Sequence, residues 1–106
     1  MSRLPDSVEE TEIRQLIRRR RLQMIVHSII YYRLGESIIS DKQFDKWARE
    51  LVGLQKRYPK VSEHVEYYED FKDWDATTGY HLKSMAQPNL IRVAQNLLKI
   101  HKDKNC

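Results

Sequence analysis

The sequence predicts an all-α fold, and three observations predict it. Apolar residues recur at spacings of three and four along most of the chain, with no run alternating at the period of two that a half-buried strand needs. Only three glycines and three prolines punctuate 106 residues, so long uninterrupted elements are favoured over short strands and turns. Helix-starting and helix-stopping residues also sit next to each other at Gly35 and Ser40, which is how an αα-hairpin is written in sequence.

The first helix is expected from Ser7, where Ser7-Val8-Glu9-Glu10 has the form of a capping box; Met1 to Asp6 precede it as a short arm. Apolar positions then run Ile13, Leu16, Ile17, Leu22, Met24, Ile25, Val26, Ile29 and Ile30. Arg18 to Arg21 interrupt them without a glycine or proline. The pattern allows one helix to Leu34 and equally allows a bend at the arginines. Beyond the arginines the apolar residues fall on more than one side, so this part should be buried between two partners.

Gly35 suits the position just past a helix end, where φ is often positive and a Cβ is costly. Five residues on, Ser40 can cap a second helix with Gln43 reaching back to it, and Asp41 places a negative charge in the first turn. That helix is expected from Asp41 to about Tyr58, on the stripe Phe44, Trp47, Leu51, Leu54 and Tyr58, with Pro59 ending it. From Ser62 to Asp75 acidic residues dominate, and Val65, Tyr68, Phe71 and Trp74 recur at helical spacing, so a short acidic helix is expected. Residues 75–80 read as a turn. Pro88 suits the first position of a last helix, capped from Gln87. Leu90, Ile91, Val93, Ala94, Leu97, Leu98 and Ile100 supply its core face, with a fraying basic tail from His101. One domain over 1–106 is expected, with a hairpin over 7–59, an acidic helix and loop over 60–86 and a final helix over 87–101.

Composition excludes several classes of function. A single cysteine, Cys106, rules out an internal disulfide and a cysteine-rich zinc site. His27, His64, His81 and His101 are scattered without metal-ligand spacing, and no Gly-x-Ser-x-Gly elbow supports nucleophilic catalysis. No signal-peptide core and no apolar run of about 18 residues occur, so the expectation is a cytoplasmic protein without a membrane contact. A formal charge of +4 favours phosphate partners only weakly.

Three groups of residues carry candidate chemistry. The hairpin elbow brings Tyr31 and Tyr32 towards Asp41, Phe44 and Asp45, joining aromatic faces to carboxylates. Arg18, Arg19, Arg20 and Arg21 form a basic cluster, although four consecutive helical residues fan over about 300° and cannot all face one groove. The acidic stretch interleaves Glu66, Glu69, Asp70 and Asp73 with Tyr67 and Trp74. Such a face can imitate nucleic-acid phosphates and dock on a basic protein surface; a solvated helix with some buried aromatics explains the same residues. Direct DNA reading by the hairpin is disfavoured, because its second helix commits Phe44, Trp47, Leu51 and Leu54 to a core.

Tyr31-Tyr32, then Glu36-x-x-Ile39-Ser40-Asp41-x-x-Phe44-Asp45, then Arg49-Glu50-Leu51, Leu54 and Tyr58-Pro59 resemble the N-terminal Ia domain of bacterial NAD-dependent DNA ligases. The match covers about a third of the chain and extends weakly to Asp75-x-x-Thr78. The resemblance implies a helical hairpin that grips the nicotinamide mononucleotide (NMN) half of NAD. Tyr31 would stack on the nicotinamide ring, and Asp41 and Asp45 would contact its amide or the ribose hydroxyls. Tyr32 stands where the family usually has His and Phe44 where it has Tyr, each change removing a polar group. No Lys-x-Asp-Gly nucleophile occurs, and the expectation is a detached, non-catalytic Ia-like module and not a complete ligase. Detached pieces of this kind resemble bacteriophage-encoded proteins. This would imply the alternative role of an inhibitor, of the counter-defence or anti-CRISPR type, acting on a nucleic-acid enzyme or defence complex in a bacterial host.

Overall fold

The computed structural model describes residues 4–76 and 82–104, with side chains from Glu9 onward. Its elements are α1 (Leu4–Tyr32), α2 (Asp41–Arg57), α3 (Pro59–Glu63), α4 (Tyr68–Phe71), a 3-10 turn (Lys83–Ala86) and α5 (Pro88–Lys104). No strand occurs among the described residues, and the all-α expectation holds.

Helix α1 is the spine. It runs unbroken through the arginines, and it starts at Leu4, so Ser7 lies inside the helix and not at its expected start. Part of the expected arm is therefore helical. Packing on two sides explains the apolar spread: α2 lies against one side of α1, and α5 with the 3-10 turn lies against another. Between them Ile17, Met24, Ile25, Ile29 and Ile30 are removed from solvent. Each such side chain contributes about 1.5–3 kcal/mol relative to exposure.

The elbow forms as its residues dictate. Gly35 adopts φ of 69°, and the Glu36 N–H donates across it to the Ile30 carbonyl at 3.0 Å. Ser40 is the N-cap of α2, its hydroxyl accepting the Gln43 N–H at 3.0 Å. Ala48 and Leu51 are buried, and Phe44, Trp47 and Leu54 pack against the core from its edge. Tyr58 leaves helical geometry as the residue before a proline should, and Pro59 then opens α3.

The single acidic helix expected over Ser62 to Asp75 is not formed. Its residues divide between the end of α3 and the four-residue α4, with a non-helical stretch from His64 to Tyr67, where Tyr67 is left-handed with φ of 69°. The spacing nevertheless marked the inward residues: Val65 and Phe71 are buried, and Trp74 meets Phe71 edge-on at 5.0 Å. The expected turn over 75–80 lies, from Thr77 on, outside the described residues.

Helix α5 begins at Pro88 and stays helical through His101 to Lys104, beyond the expected fraying point. Leu90 and Ala94 are buried and Ile91, Leu97 and Leu98 half-buried. Val93 and Ile100 are exposed, so these two do not belong to the core face. They lie seven residues apart on a side of the helix turned from α1.

Candidate nucleotide-binding pocket

The end of α1, the 33–40 connection and the start of α2 enclose a cavity of about 350 Å³. Tyr31, Tyr32, Asp41, Phe44 and Asp45 all line it, so the elbow brings together the aromatic and acidic residues singled out from the sequence. The size lies in the range of small-molecule sites.

The pocket has a rim and a floor. Tyr31 and Tyr32 are 58% and 41% exposed, unusual for large aromatic side chains, and meet edge to face at 4.9 Å. Asp41 stands in the first turn of α2, where the helix dipole favours a carboxylate. Asp45, one turn on, accepts an ion pair from Arg49 at 3.1 Å, both side chains being largely in solvent. Phe44 contributes a ring face without a hydroxyl.

The floor comes from the preceding turn of α1. His27 and Ser28 sit four residues before Tyr31 and Tyr32, on the same helix faces. Ser28 is only 1% exposed, and its hydroxyl, like His27 Nδ1, has no hydrogen-bond partner. The His27 ring lies 5.7 Å from the Trp47 ring, and burial lowers its pKa from the ordinary value of 6.5, favouring the neutral imidazole. No motif in the sequence singles out His27 or Ser28. Their only signal was the i, i+4 register with the two tyrosines.

This arrangement suits a flat cationic ring bearing polar groups. Tyrosine faces attract a cation, and two carboxylates can accept hydroxyl or amide hydrogens. The unsatisfied polar atoms on the floor are the kind of feature that a bound ligand completes.

The basic cluster does not form as one patch. Arg21 is fully buried and donates to Gln55 Oε1, to the carbonyls of Ser62, Val65 and Glu66, and to Ser62 Oγ. Burial lowers its pKa to about 10, still protonated at neutral pH, with Tyr68 and Asp70 opposing the shift. Of the four arginines only Arg21 continues the stripe from Ile17 to Met24 and Ile25, and that register is what buries it. Arg18 pairs with Glu66 at 3.1 Å and Arg20 with Glu50 at 3.3 Å, while Arg19 is exposed.

The acidic stretch is also engaged within the chain. Glu69 pairs with Lys72 at 3.0 Å. Asp70 accepts from the Ser84 N–H at 2.7 Å and from its hydroxyl at 2.9 Å, tying α4 to the 3-10 turn. Tyr67 and Trp74 are half-buried against the core, and Asp73 is exposed. No single helix aligns these residues. Among the described residues no helix is long and apolar enough to cross a membrane.

Comparison with known proteins matches the same region. Residues 10–65 fit the model of the DNA ligase-like, N-terminal NAD+-binding domain family. The chain is 36% identical over 50 residues to the DNA ligase of Pseudothermotoga lettingae, which is 47% of this chain and 7% of that ligase. It is 49% identical over 35 residues to the DNA ligase of Petrotoga mobilis, or 33% of this chain and 5% of that protein. To the ligase of Methylococcus capsulatus it is 32% identical over 50 residues, covering 47% of this chain and 7% of the ligase. The chain thus spans a small fraction of the length of these relatives. No solved structure matches significantly. With the family model covering more than half of its residues, including the whole of the elbow, the chain belongs to the DNA ligase-like, N-terminal NAD+-binding domain family.

Proposed function

We propose that this chain is a binding module for the NMN part of NAD, taking the ligand in the elbow pocket and catalysing no reaction itself. The observation that carries this reading is the convergence of Tyr31, Tyr32, Asp41, Phe44 and Asp45 on one cavity. These are the positions at which the ligase resemblance implies ligand contacts. Tyr31 supplies a stacking face for the pyridinium, and Asp41 and Asp45 accept hydrogens from the ribose hydroxyls and attract the positive ring.

Adenylate transfer and strand joining in a ligase need a lysine nucleophile and further domains. This sequence has no Lys-x-Asp-Gly motif, and its matches lie in the N-terminal segment alone. Its own residues can bind and orient a nucleotide, and among the described residues no lysine lines the pocket. Phe44 in place of the family's Tyr lacks a hydroxyl, so polar recognition rests on the tyrosine hydroxyls, Asp41, Asp45 and the pocket floor. The internal pairing of the acidic stretch supports this reading over a protein-docking one, since most of those charges already have partners.

The test is calorimetric titration of NMN and of NAD into the purified protein, up to millimolar ligand. Saturable 1:1 binding that vanishes in Asp41→Ala and weakens in Tyr31→Ala, with circular dichroism unchanged, is the expected result. A flat titration of the wild type would overturn the reading and leave the elbow as a scaffold.

A further inference from the structure

We propose that His27 and Ser28 are specificity-determining residues that read the carboxamide of a nicotinamide nucleotide on the pocket floor and select it over the corresponding acid. The assignment rests on the nucleotide reading above and deepens it.

Among the described residues, the buried side-chain nitrogen and oxygen atoms without a partner are His27 Nδ1 and Ser28 Oγ. The chain satisfies its other buried polar groups closely. Arg21, equally buried, completes five hydrogen bonds, and Ser62 and Ser84 are both bonded. The two exceptions are adjacent in sequence and line the same cavity. Leaving them unpaired costs stability in the free protein, and a cost confined to one cavity points to a ligand that removes it.

The donor and acceptor chemistry of the two side chains favours one ligand group. His27 and Ser28 lie one turn below Tyr31 and Tyr32. A flat ring held at the tyrosines can turn a substituent towards the floor. A neutral imidazole has one donor and one acceptor nitrogen, and a serine hydroxyl can do either. A carboxamide offers one acceptor oxygen beside two N–H donors, which complements this pair whichever ring nitrogen carries the proton. An acid in its place presents acceptors only. It also brings a negative charge into a pocket already lined by Asp41 and Asp45. Sites built on buried hydrogen-bonding groups reject analogues that leave those groups unpaired.

The experiment is calorimetry with NMN and with nicotinic acid mononucleotide on the wild type and on Ser28→Ala. Alanine suits a helix, and it removes the unpaired hydroxyl, so the variant should melt at the same temperature as the wild type or higher. The wild type is expected to prefer NMN by about tenfold or more. Ser28→Ala should weaken NMN about tenfold and change the acid form less than about threefold. Equal wild-type affinity for the two nucleotides would overturn the assignment and leave the nucleotide reading standing. Unchanged NMN affinity in Ser28→Ala would do the same. Binding of neither nucleotide by the wild type would overturn both. His27→Gln, which keeps a donor and an acceptor in a different geometry, should retain only part of the wild-type preference, and a preference left wholly unchanged would count against His27.

Discussion

The Arg21 guanidinium donates to the Ser62 hydroxyl at 2.6 Å, in the interior, between α1 and the start of the acidic stretch. The same group reaches the Ser62, Val65 and Glu66 carbonyls and lies about 6 Å from the rings of Tyr68 and Phe71. One side chain thereby pins the irregular 62–71 segment to the spine. Arg21→Ala would leave several buried acceptors unpaired. It should cost about 3–5 kcal/mol in urea unfolding, while Arg19→Ala, at an exposed position, should stay within about 0.5 kcal/mol.

The elbow should respond to backbone chemistry and not to crowding. Nothing lies within 4 Å of a Cβ built on Gly35, so Gly35→Ala meets only the penalty of φ at 69°. That penalty is about 1–2 kcal/mol. Gly35→Asn should cost less, because asparagine tolerates the left-handed region. Ser40→Ala removes the cap of α2 and should cost about 1 kcal/mol. Thermal melts of the three variants order these effects.

Asp70 and Asp73, three residues apart in the acidic stretch, should behave differently. Asp70→Ala strands the Ser84 N–H and hydroxyl and should destabilise by about 1–3 kcal/mol. Asp73→Ala should be silent to within about 0.5 kcal/mol, since its side chain is exposed. Equal effects in chemical denaturation would contradict the role assigned to Asp70.

His27 couples the pocket to pH. Burial holds its pKa below the ordinary 6.5, so the unfolded chain takes up the proton first. The stability linked to His27 is complete above about pH 6.5 and is lost as the pH falls from there through the folded-state value. His27→Gln should flatten this part of the profile. With the packing cost removed by matching the two at about pH 8, the melting temperature of the wild type should fall below that of the variant as the pH drops towards about 5.

Local signals were legible in the sequence wherever one residue type decides a backbone conformation. Gly35, Ser40, Pro59 and Pro88 marked the ends of elements because each acts on its own neighbours. The rim of the pocket was legible for the same reason, since the elbow that aligns Tyr31 with Asp41 is written in adjacent residues. Tertiary choices were hidden. Arg21 looks like Arg18, Arg19 and Arg20 until the register from Ile17 is followed. Its burial also depends on carbonyls more than forty residues away. Tyr67 gives no local hint of the left-handed φ with which it closes the non-helical break before α4. Val93 and Ile100 are apolar enough for a core, but α5 turns its other side to α1. The floor of the pocket escaped notice because serine and histidine in a helix are ordinary until their partners are looked for.

Apart from Ala76, every described residue lining the pocket falls between His27 and Asp45. Most binding sites gather distant segments and are inherited only with the whole fold that aligns them. This one is nearly a continuous word of the chain. A single recombination event could carry it intact, and any protein with two antiparallel helices of suitable spacing could receive it. Grafting 27–45 between such helices would therefore transfer the rim and the floor together, with their relative geometry set by the inserted turn and not by the host.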